Sequence, residues 1–342
     1  MRVVVFSTDR NILKTDSVAY RRQQAYSARF DEYTVLIGSR RAHGLNAVEL
    51  GPKSYAVPFS VRGALRAVHV ADVISTQDPF EAGLGALFFA LFFRKPLHVQ
   101  VHTDLYAEDF VKGRIANRIR NIIAHIVLRY ATRIRTVSEE IADSLKERGI
   151  RVPITVLPIF VDVKIYEGLE RKKHPEWKIA LLSIGRLAKE KRFTKSIDVV
   201  AQLHARGHDA GLTIVGSGSE LESLRAHASD LRVGRYVRFI PWADNIAPFL
   251  SEADLVLVPS QYEGYGLVII EALAAGVPVL STDVGIAKEA GAMIAAYEDF
   301  TDEAELWVRS GPRKSSLQGY PYNDFGEYAR LYCDDIKATI VP

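Results

Sequence analysis

The sequence predicts an α/β protein built from two doubly wound domains, and three observations carry that expectation. Short β-branched runs alternate with segments of helical periodicity along nearly the whole chain, the pattern of parallel sheets made from βαβ units. The alternation restarts near residue 178 with "KIALLSIGR", a strand ending in a glycine turn, as the first strand of such a domain does. The chain has 342 residues, 48% hydrophobic and 25% charged, which suits two globular cores of ordinary size.

The elements follow in order. "VVVF" (Val3–Phe6) reads as a buried strand, followed by a polar loop and a helical stretch around Ser17–Phe30. "YTVLIG" (Tyr33–Gly38), "DVIST" (Asp72–Thr76) and "LHVQVH" (Leu97–His102) are further strands, and "FEAGLGALFFALFFRK" between the last two is apolar nearly all round and reads as a buried helix. "RIRTVS" (Arg133–Ser138) is a strand, and "EEIADSLKERG" an amphipathic helix closed by Gly149. After the restart come "AGLTIVGSG" (Ala210–Gly218), "YVRFIP" (Tyr236–Pro241), "ADLVLVPS" (Ala253–Ser260) and "VPVLST" (Val277–Thr282), with helices between them. The expected division is a domain at 1–165, a charged linker at 166–178, a second domain at 179–318, and a C-terminal helical segment at 319–342 that can cross back to the first domain. Two such domains would face a central cleft, with ligands held by the loops at the carboxyl ends of the strands.

Composition excludes several classes. No run of about 18 uncharged apolar residues occurs, so no transmembrane helix is expected. The opening "MRVVVFSTDR" is strand-like and unlike a secretory signal. The one cysteine, Cys333, forms no internal disulfide; a reducing, cytoplasmic setting and an inert packed thiol are expected. Net charge is +3, but residues 1–150 carry 22 Lys+Arg against 15 Asp+Glu, and the remainder 22 against 26. The first half is therefore suited to an anionic neighbour, or is simply a solvated surface. Nucleic acid is not expected, because no basic surface interleaved with aromatic residues is evident.

The chemistry concentrates in the second half. In "SIGRLAKEKR", Gly185 ends a strand and lets a ligand approach the backbone, while Arg186 and Lys191 supply a planar fork and a point charge suited to a diphosphate. The alternative is a solvated helix start, although helix N-termini favour acids over bases. "IVGSGSELESL", with Gly216, is a strand, a glycine turn and a helix, by itself a weak nucleotide signal. "PSQYEGYGLVIIEALAAGVPVLSTDVG" is more informative. Its loop carries Glu263, and its helix begins at Gly266 and Leu267, whose free first-turn amides suit an anion. Glu271 lies one turn further on, in an otherwise apolar run. A buried carboxylate needs a partner, either the vicinal diol of a ribose or a donor from the protein itself.

These segments resemble the retaining glycosyltransferases of the GT-B fold, family 4 type (glycosyl transferases group 1). "GRLAKEK", "VGSGSE" and above all the E-x7-E pair of "PSQYEGYGLVIIEALAAGVPV" carry the resemblance over Ile179 to Gly285. In the first half only strand order, "VQVHTD" and "RTVSEEIADSL" match. The resemblance implies transfer of a sugar from a nucleotide diphosphate sugar to a glycan or lipid-linked acceptor, in cell-surface polysaccharide or glycolipid synthesis. Arg186 and Lys191 would hold the diphosphate, Glu263 the donor sugar and Glu271 the ribose. Gly266 and Leu267 would offer amides to the phosphates, and His102 would stand beside the donor sugar; the alternative for His102 is a strand-end histidine satisfied by backbone. No Asp-x-Asp pair occurs, so no metal or other cofactor is expected. The early Gly-Gly loop of the family is replaced by "STDRNILKTDSVAYRR". The basic, helically periodic stretch Lys112–Arg135 suits either an anionic membrane surface, with the protein peripheral at the inner face, or an ordinary core-facing helix. The competing functions are a non-catalytic nucleotide-sugar-binding subunit and a GT-B sugar-nucleotide epimerase.

Overall fold

The structure, a computed structural model, describes residues 1–39, 44–103, 105–106 and 115–340. The chain divides into two compact units, Met1–Phe160 with Tyr322–Pro342, and Val161–Pro321.

The first unit is organised by one eight-stranded sheet. In chain order its strands are β1 (Arg2–Ser7), β2 (Glu32–Ile37), β3 (Val48–Gly51), β4 (Ser54–Pro58), β5 (Val73–Thr76), β6 (Leu97–Val101), β7 (Arg133–Thr136) and β8 (Ile154–Val156). They lie in the order β3-β4-β2-β1-β5-β6-β7-β8. Only the hairpin β3–β4 is antiparallel; β1 pairs with β2 from Arg2↔Glu32 and with β5 from Val3↔Val73. The helices are α1 (Val18–Ser27), α2 (Val61–Val70), α3 (Glu81–Phe93), α4 (Ile115–Arg129) and α5 (Glu139–Glu147). Ser17, Ser60 and Ser138 cap α1, α2 and α5 by accepting from backbone amides three residues on. The inner strands are buried at Val3, Val5, Val35, Ile74, Val99 and Ile134, because helices cover both faces of a parallel sheet.

One expectation is corrected here. The helix α3 is not buried on all sides. Gly83, Ala86, Leu87, Phe89 and Ala90 face inward, but Phe88 and Phe92 are 63% and 68% exposed, with Leu84 and Leu91 beside them on the outer stripe. A helix on one flank of a sheet keeps an outer face, and a sequence apolar all round does not reveal which face that is. The stretch Lys112–Arg135 begins outside the described residues at 112–114; from Ile115 it is the helix α4 and the strand β7.

The second unit carries β9 (Ile179–Ile184), β10 (Ala210–Val215), β11 (Val237–Ile240), β12 (Leu255–Val258), β13 (Val279–Ser281) and β14 (Met293–Ile294). All pair in parallel, in the order β11-β10-β9-β12-β13-β14. The strand order reverses between β9 and β12, so their carboxyl ends flank a crevice in the sheet. Its helices are α6 (Phe193–Ala205), α7 (Leu221–Asp230), α8 (Ala247–Glu252), α9 (Leu267–Ala274), α10 (Ala287–Ala290) and α11 (Phe300–Ser310). Leu181, Ile197, Leu203, Leu212, Leu257 and Phe300 centre the core. The charged stretch 166–178 lies within this unit instead of outside it. Trp177 is buried against β10, where any side chain at Gly211 would overlap its ring, and Lys172 N–H donates to Ser251 O at 2.8 Å.

The last helix, α12 (Phe325–Lys337), belongs to the first unit and docks through polar groups. Asp335 is buried and accepts from His98 Nε2 at 2.9 Å and from Arg133 Nε at 2.6 Å. The other ring nitrogen of His98 pairs with the Ser75 hydroxyl at 2.9 Å. Gln100 Nε2 donates to Tyr332 Oη at 2.7 Å, and Arg135 donates to Tyr328 Oη at 3.0 Å with its guanidinium over both tyrosine rings. Cys333 is fully buried, and burial pushes its thiol up to about 12. Burial disfavours the Asp335 carboxylate, but hydrogen bonds from His98, Arg133 and Thr155 outweigh it and hold its carboxyl down to about 2. A depressed carboxyl pKa gives stability that is present above the unfolded-state value and lost as pH falls through the folded one. Asp335→Asn should therefore cost roughly 3 kcal/mol at neutral pH, as for a broken buried pair, and the deficit should shrink between about pH 4 and 2. Denaturant titrations across that range check it; a deficit independent of pH would contradict it.

Candidate functional site

Four loops at the carboxyl edge of the second sheet assemble one site. The loops after β9 and β10 fit by backbone contact: a Cβ on Gly216 would overlap the Gly185 carbonyl oxygen, so only glycine lets them approach this closely. Leu187 N–H donates to Ser217 O at 3.0 Å across the same contact. Between β9 and β12, Gln261 N–H donates to Glu190 O at 2.7 Å. The loop after β13 closes on the loop after β12 through Ile286 N–H to Tyr265 O at 2.9 Å.

These backbone ties place Lys191 against Glu263. The ammonium donates to both carboxylate oxygens at 2.6 Å, and the Ser260 hydroxyl adds a bond to Oε1 at 2.8 Å. Lys191 and Glu263 expose only 18% and 9% of their side chains, so the pair is screened less than a surface pair. Arg186 differs: its side chain is 71% exposed and pairs with Glu190 at 2.7 Å. A guanidinium held by one exposed i,i+4 pair is easily redirected to another anion.

The helix α9 starts at Gly266, whose φ of +90° is left-handed and suits glycine. The first amides of an α-helix, here from Leu267, have no intrahelical acceptor and carry the positive end of the helix dipole. Leu267 itself is 43% exposed. Ile269, Ile270, Ala272 and Leu273 pack inward and leave Glu271 partly buried among them. Burial pushes the Glu271 carboxyl up, and the Tyr166 hydroxyl, which donates to Oε1 at 3.1 Å, pulls it down only in part. The sequence left open whether Glu271 has a protein donor; Tyr166 is one.

His102 belongs to the first unit, directly after β6. Burial first, and then the charges of Arg135 and Arg22, push its imidazole down to about 3, so it is neutral at physiological pH. Among the described residues no group of three His, Cys, Asp or Glu side chains is disposed to hold a metal ion. Thus Lys191, Glu263, Gly185, Gly216, Gly266, Leu267 and Glu271 fall on neighbouring loops of one unit, with Arg186 on the same rim. Ser260 and Tyr166 were missed. Ser260 stood in the sequence only as a strand end, and Tyr166 lies 105 residues from Glu271, a separation no local pattern can bridge.

Two family profiles match the chain in succession: the glycosyl transferase 4-like domain over residues 2–159 and glycosyl transferases group 1 over residues 167–295, with residues 296–342 outside both. The chain belongs to the GT-B glycosyltransferases of the family 4 type. A lipopolysaccharide core biosynthesis glycosyltransferase of Rhizobium meliloti is 33% identical over 144 residues, 42% of this chain and 41% of that protein. A GDP-mannose-dependent phosphatidylinositol dimannoside mannosyltransferase of Mycobacterium tuberculosis is 34% identical over 138 residues, 39% of this chain and 36% of that protein. These matches therefore span about two-fifths of the relatives' length or less. The Anabaena protein HepE, solved with UDP, superposes with a TM-score of 0.69 over 99% of this chain and 97% of its own, at 16% identity. That likeness speaks for the GT-B fold.

Because burial raises the Glu271 pKa, its contribution to stability is present below the unfolded-state value and lost as pH rises through the folded one. Glu271→Gln keeps an acceptor for Tyr166 without the buried charge. It should raise the melting temperature at pH 7 by a few degrees, with the gain vanishing below about pH 4. Melting curves at the two pH values check this, and a lower melting temperature at pH 7 would count against it.

Proposed function

We propose that the protein transfers a hexose from a nucleotide diphosphate sugar to a glycan or lipid-linked acceptor, with retention at the anomeric carbon and without a metal ion. The observation that carries the reading is the Lys191–Glu263 pair, desolvated at the crevice between β9 and β12, with α9 capped at Gly266 shortly after Glu263 in the same loop. One carboxylate for sugar hydroxyls, one ammonium for phosphate oxygens and a helix N-terminus for anions form a donor site in which side chains and amides supply the positive charge. The profile matches and relatives' names support glycosyl transfer, and HepE's complex with UDP supports a uridine nucleotide among the candidate donors. The GDP-mannose relative keeps guanosine among them.

In this reading the bond from the anomeric carbon to the diphosphate oxygen breaks as the acceptor oxygen attacks on the same face. The acceptor's proton passes to that diphosphate oxygen, so no separate general base is needed. Arg186 turns from Glu190 to the diphosphate, and Lys191 offers it a charge while holding Glu263 for the sugar. The Gly266 and Leu267 amides meet phosphate oxygens, Glu271 takes the ribose, and Gly185 and Gly216 let the backbone come close. Charge grows on the diphosphate as the bond breaks, so fixed cations act mainly in the transition state. Lys191→Ala and Arg186→Ala should each cut turnover on the order of 10²-fold beyond any loss in donor affinity, and Arg186→Lys should recover it only in part. The assay is nucleoside diphosphate release from UDP-, GDP- and ADP-hexoses with and without glycan acceptors, repeated in EDTA. Wild-type turnover in both alanine variants, or abolition by EDTA with recovery on Mg²⁺, would sink this mechanism.

A second observation favours a lipid-linked acceptor and a peripheral position at an anionic membrane. The helices α2, α3 and α4 pack side by side and expose Leu65, Phe88, Phe92 and Ile122. Residues 61–70, 81–95 and 115–130 carry seven Lys+Arg and one acid, Glu81, which pairs with Arg120. Apolar side chains set among cations suit insertion at anionic headgroups. Binding to phosphatidylglycerol vesicles should fall as salt rises, and Phe88→Ser/Phe92→Ser should weaken it about tenfold. Equal binding to phosphatidylcholine vesicles, or no effect of the double substitution, would contradict it.

A further inference from the structure

Glu271 presents a physical difficulty that its helix does not resolve. It has a flexible side chain and a partly buried carboxylate, and its neighbours Ile270 and Ala272 are apolar. Left alone, such a group turns toward solvent or protonates. What holds it is Tyr166, from the opposite end of the unit's sequence. Tyr166 follows a 3₁₀ turn at Val163–Ile165 that packs against α9, and its amide donates to Val163 O at 2.9 Å. The residue is 8% exposed, so the ring is fixed by its surroundings and its hydroxyl meets Oε1 of Glu271 at 3.1 Å.

We propose that Tyr166 is a positioning residue for nucleotide recognition: its hydroxyl orients the Glu271 carboxylate so that the remaining acceptor positions meet both hydroxyls of a ribose. The inference rests on the reading of Glu271 as the ribose contact. A carboxylate offers about four lone-pair positions, Tyr166 occupies one, and a vicinal diol needs two. Pinning one oxygen before the nucleotide arrives removes an ordering cost from binding, which is the general route by which preorganisation raises affinity. The choice of a phenol matters. A lysine or arginine in its place would form an ion pair and hold the carboxylate against the diol. A neutral hydroxyl fixes the direction and leaves the negative charge available. Burial, and then the charge of Glu271, raise the Tyr166 pKa, so the phenol stays a donor throughout the physiological range.

The test is calorimetric binding to the full chain, and it needs no turnover. UDP, GDP and ADP are titrated, and the tightest is compared with its 2′,3′-dideoxy counterpart on wild type, Tyr166→Phe, Glu271→Ala and the double variant. Wild type should prefer the ribonucleotide, Glu271→Ala should erase the preference, and Tyr166→Phe should cut it about tenfold, the order expected for a hydrogen bond to a charged group. In the Glu271→Ala background Tyr166→Phe should change nothing further. Tyr166→Phe with the full wild-type preference overturns the proposal alone, as does an equal loss for ribo and dideoxy forms, which marks a merely structural role. Wild-type preference in Glu271→Ala, or no binding of any nucleotide, overturns the ribose reading and the proposal with it. Glu271→Asp guards against a misfolded phenylalanine variant: its carboxylate is one methylene short of Tyr166 and should lose the preference, and keeping it would equally overturn the proposal.

Discussion

A strand covered by helices on both faces has no room along its length for an unpaired polar side chain, and this constraint arranges the chemistry of the protein. The central strands of both sheets are parallel and buried; most of their side chains are Val, Ile or Leu, and the polar ones along them, such as His98, Gln100, Arg135 and Ser183, each hydrogen-bond a partner. Polar groups with work to do are displaced to the carboxyl ends, where loops leave the sheet and helix N-termini arrive. In the second unit the reversal of strand order opens a gap at that edge. Gly185, Lys191, Ser260, Glu263 and Gly266 fall on the two loops beside it.

Placed there, each carboxylate must find a donor, and three solutions differ in what they leave free. Asp335 is spent entirely on structure, since His98 and Arg133 take its oxygens and tie α12 to β6 and β7. Glu263 is held on both oxygens by Lys191, so any ligand hydroxyl would have to share it with that cation. Glu271 accepts from a neutral hydroxyl, and burial holds its carboxyl pKa up. That order runs from least to most available to a ligand.

The two units show unequal signals in sequence for the same reason. The segment from Ile179 to Gly285 is dense with glycines at close approaches and charges beside strands. In the first unit the corresponding information is diffuse. His102 owes its lowered pKa to burial and to Arg135, a fully buried residue whose partners Tyr328 and Tyr332 come from the last helix.

The sequence alone determined the α/β class, the restart near residue 178, and the segments from which the site is made. Periodicity, strand-end glycines and the spacing of Glu263 and Glu271 are local properties, and backbone geometry translates them directly into strands, turns and one helix face. Tertiary structure alone decided which side of α3 faces outward, because a helix apolar all round carries no mark of its own orientation. It also decided that residues 166–178 pack within the second unit, where Trp177 fills the space over Gly211. The donors to Glu263 and Glu271 were settled in the same way: Lys191 is 72 residues from its partner and Tyr166 is 105 from its own. Hydrogen bonds over such separations depend on how strands cross over in a sheet, and no window of sequence contains that.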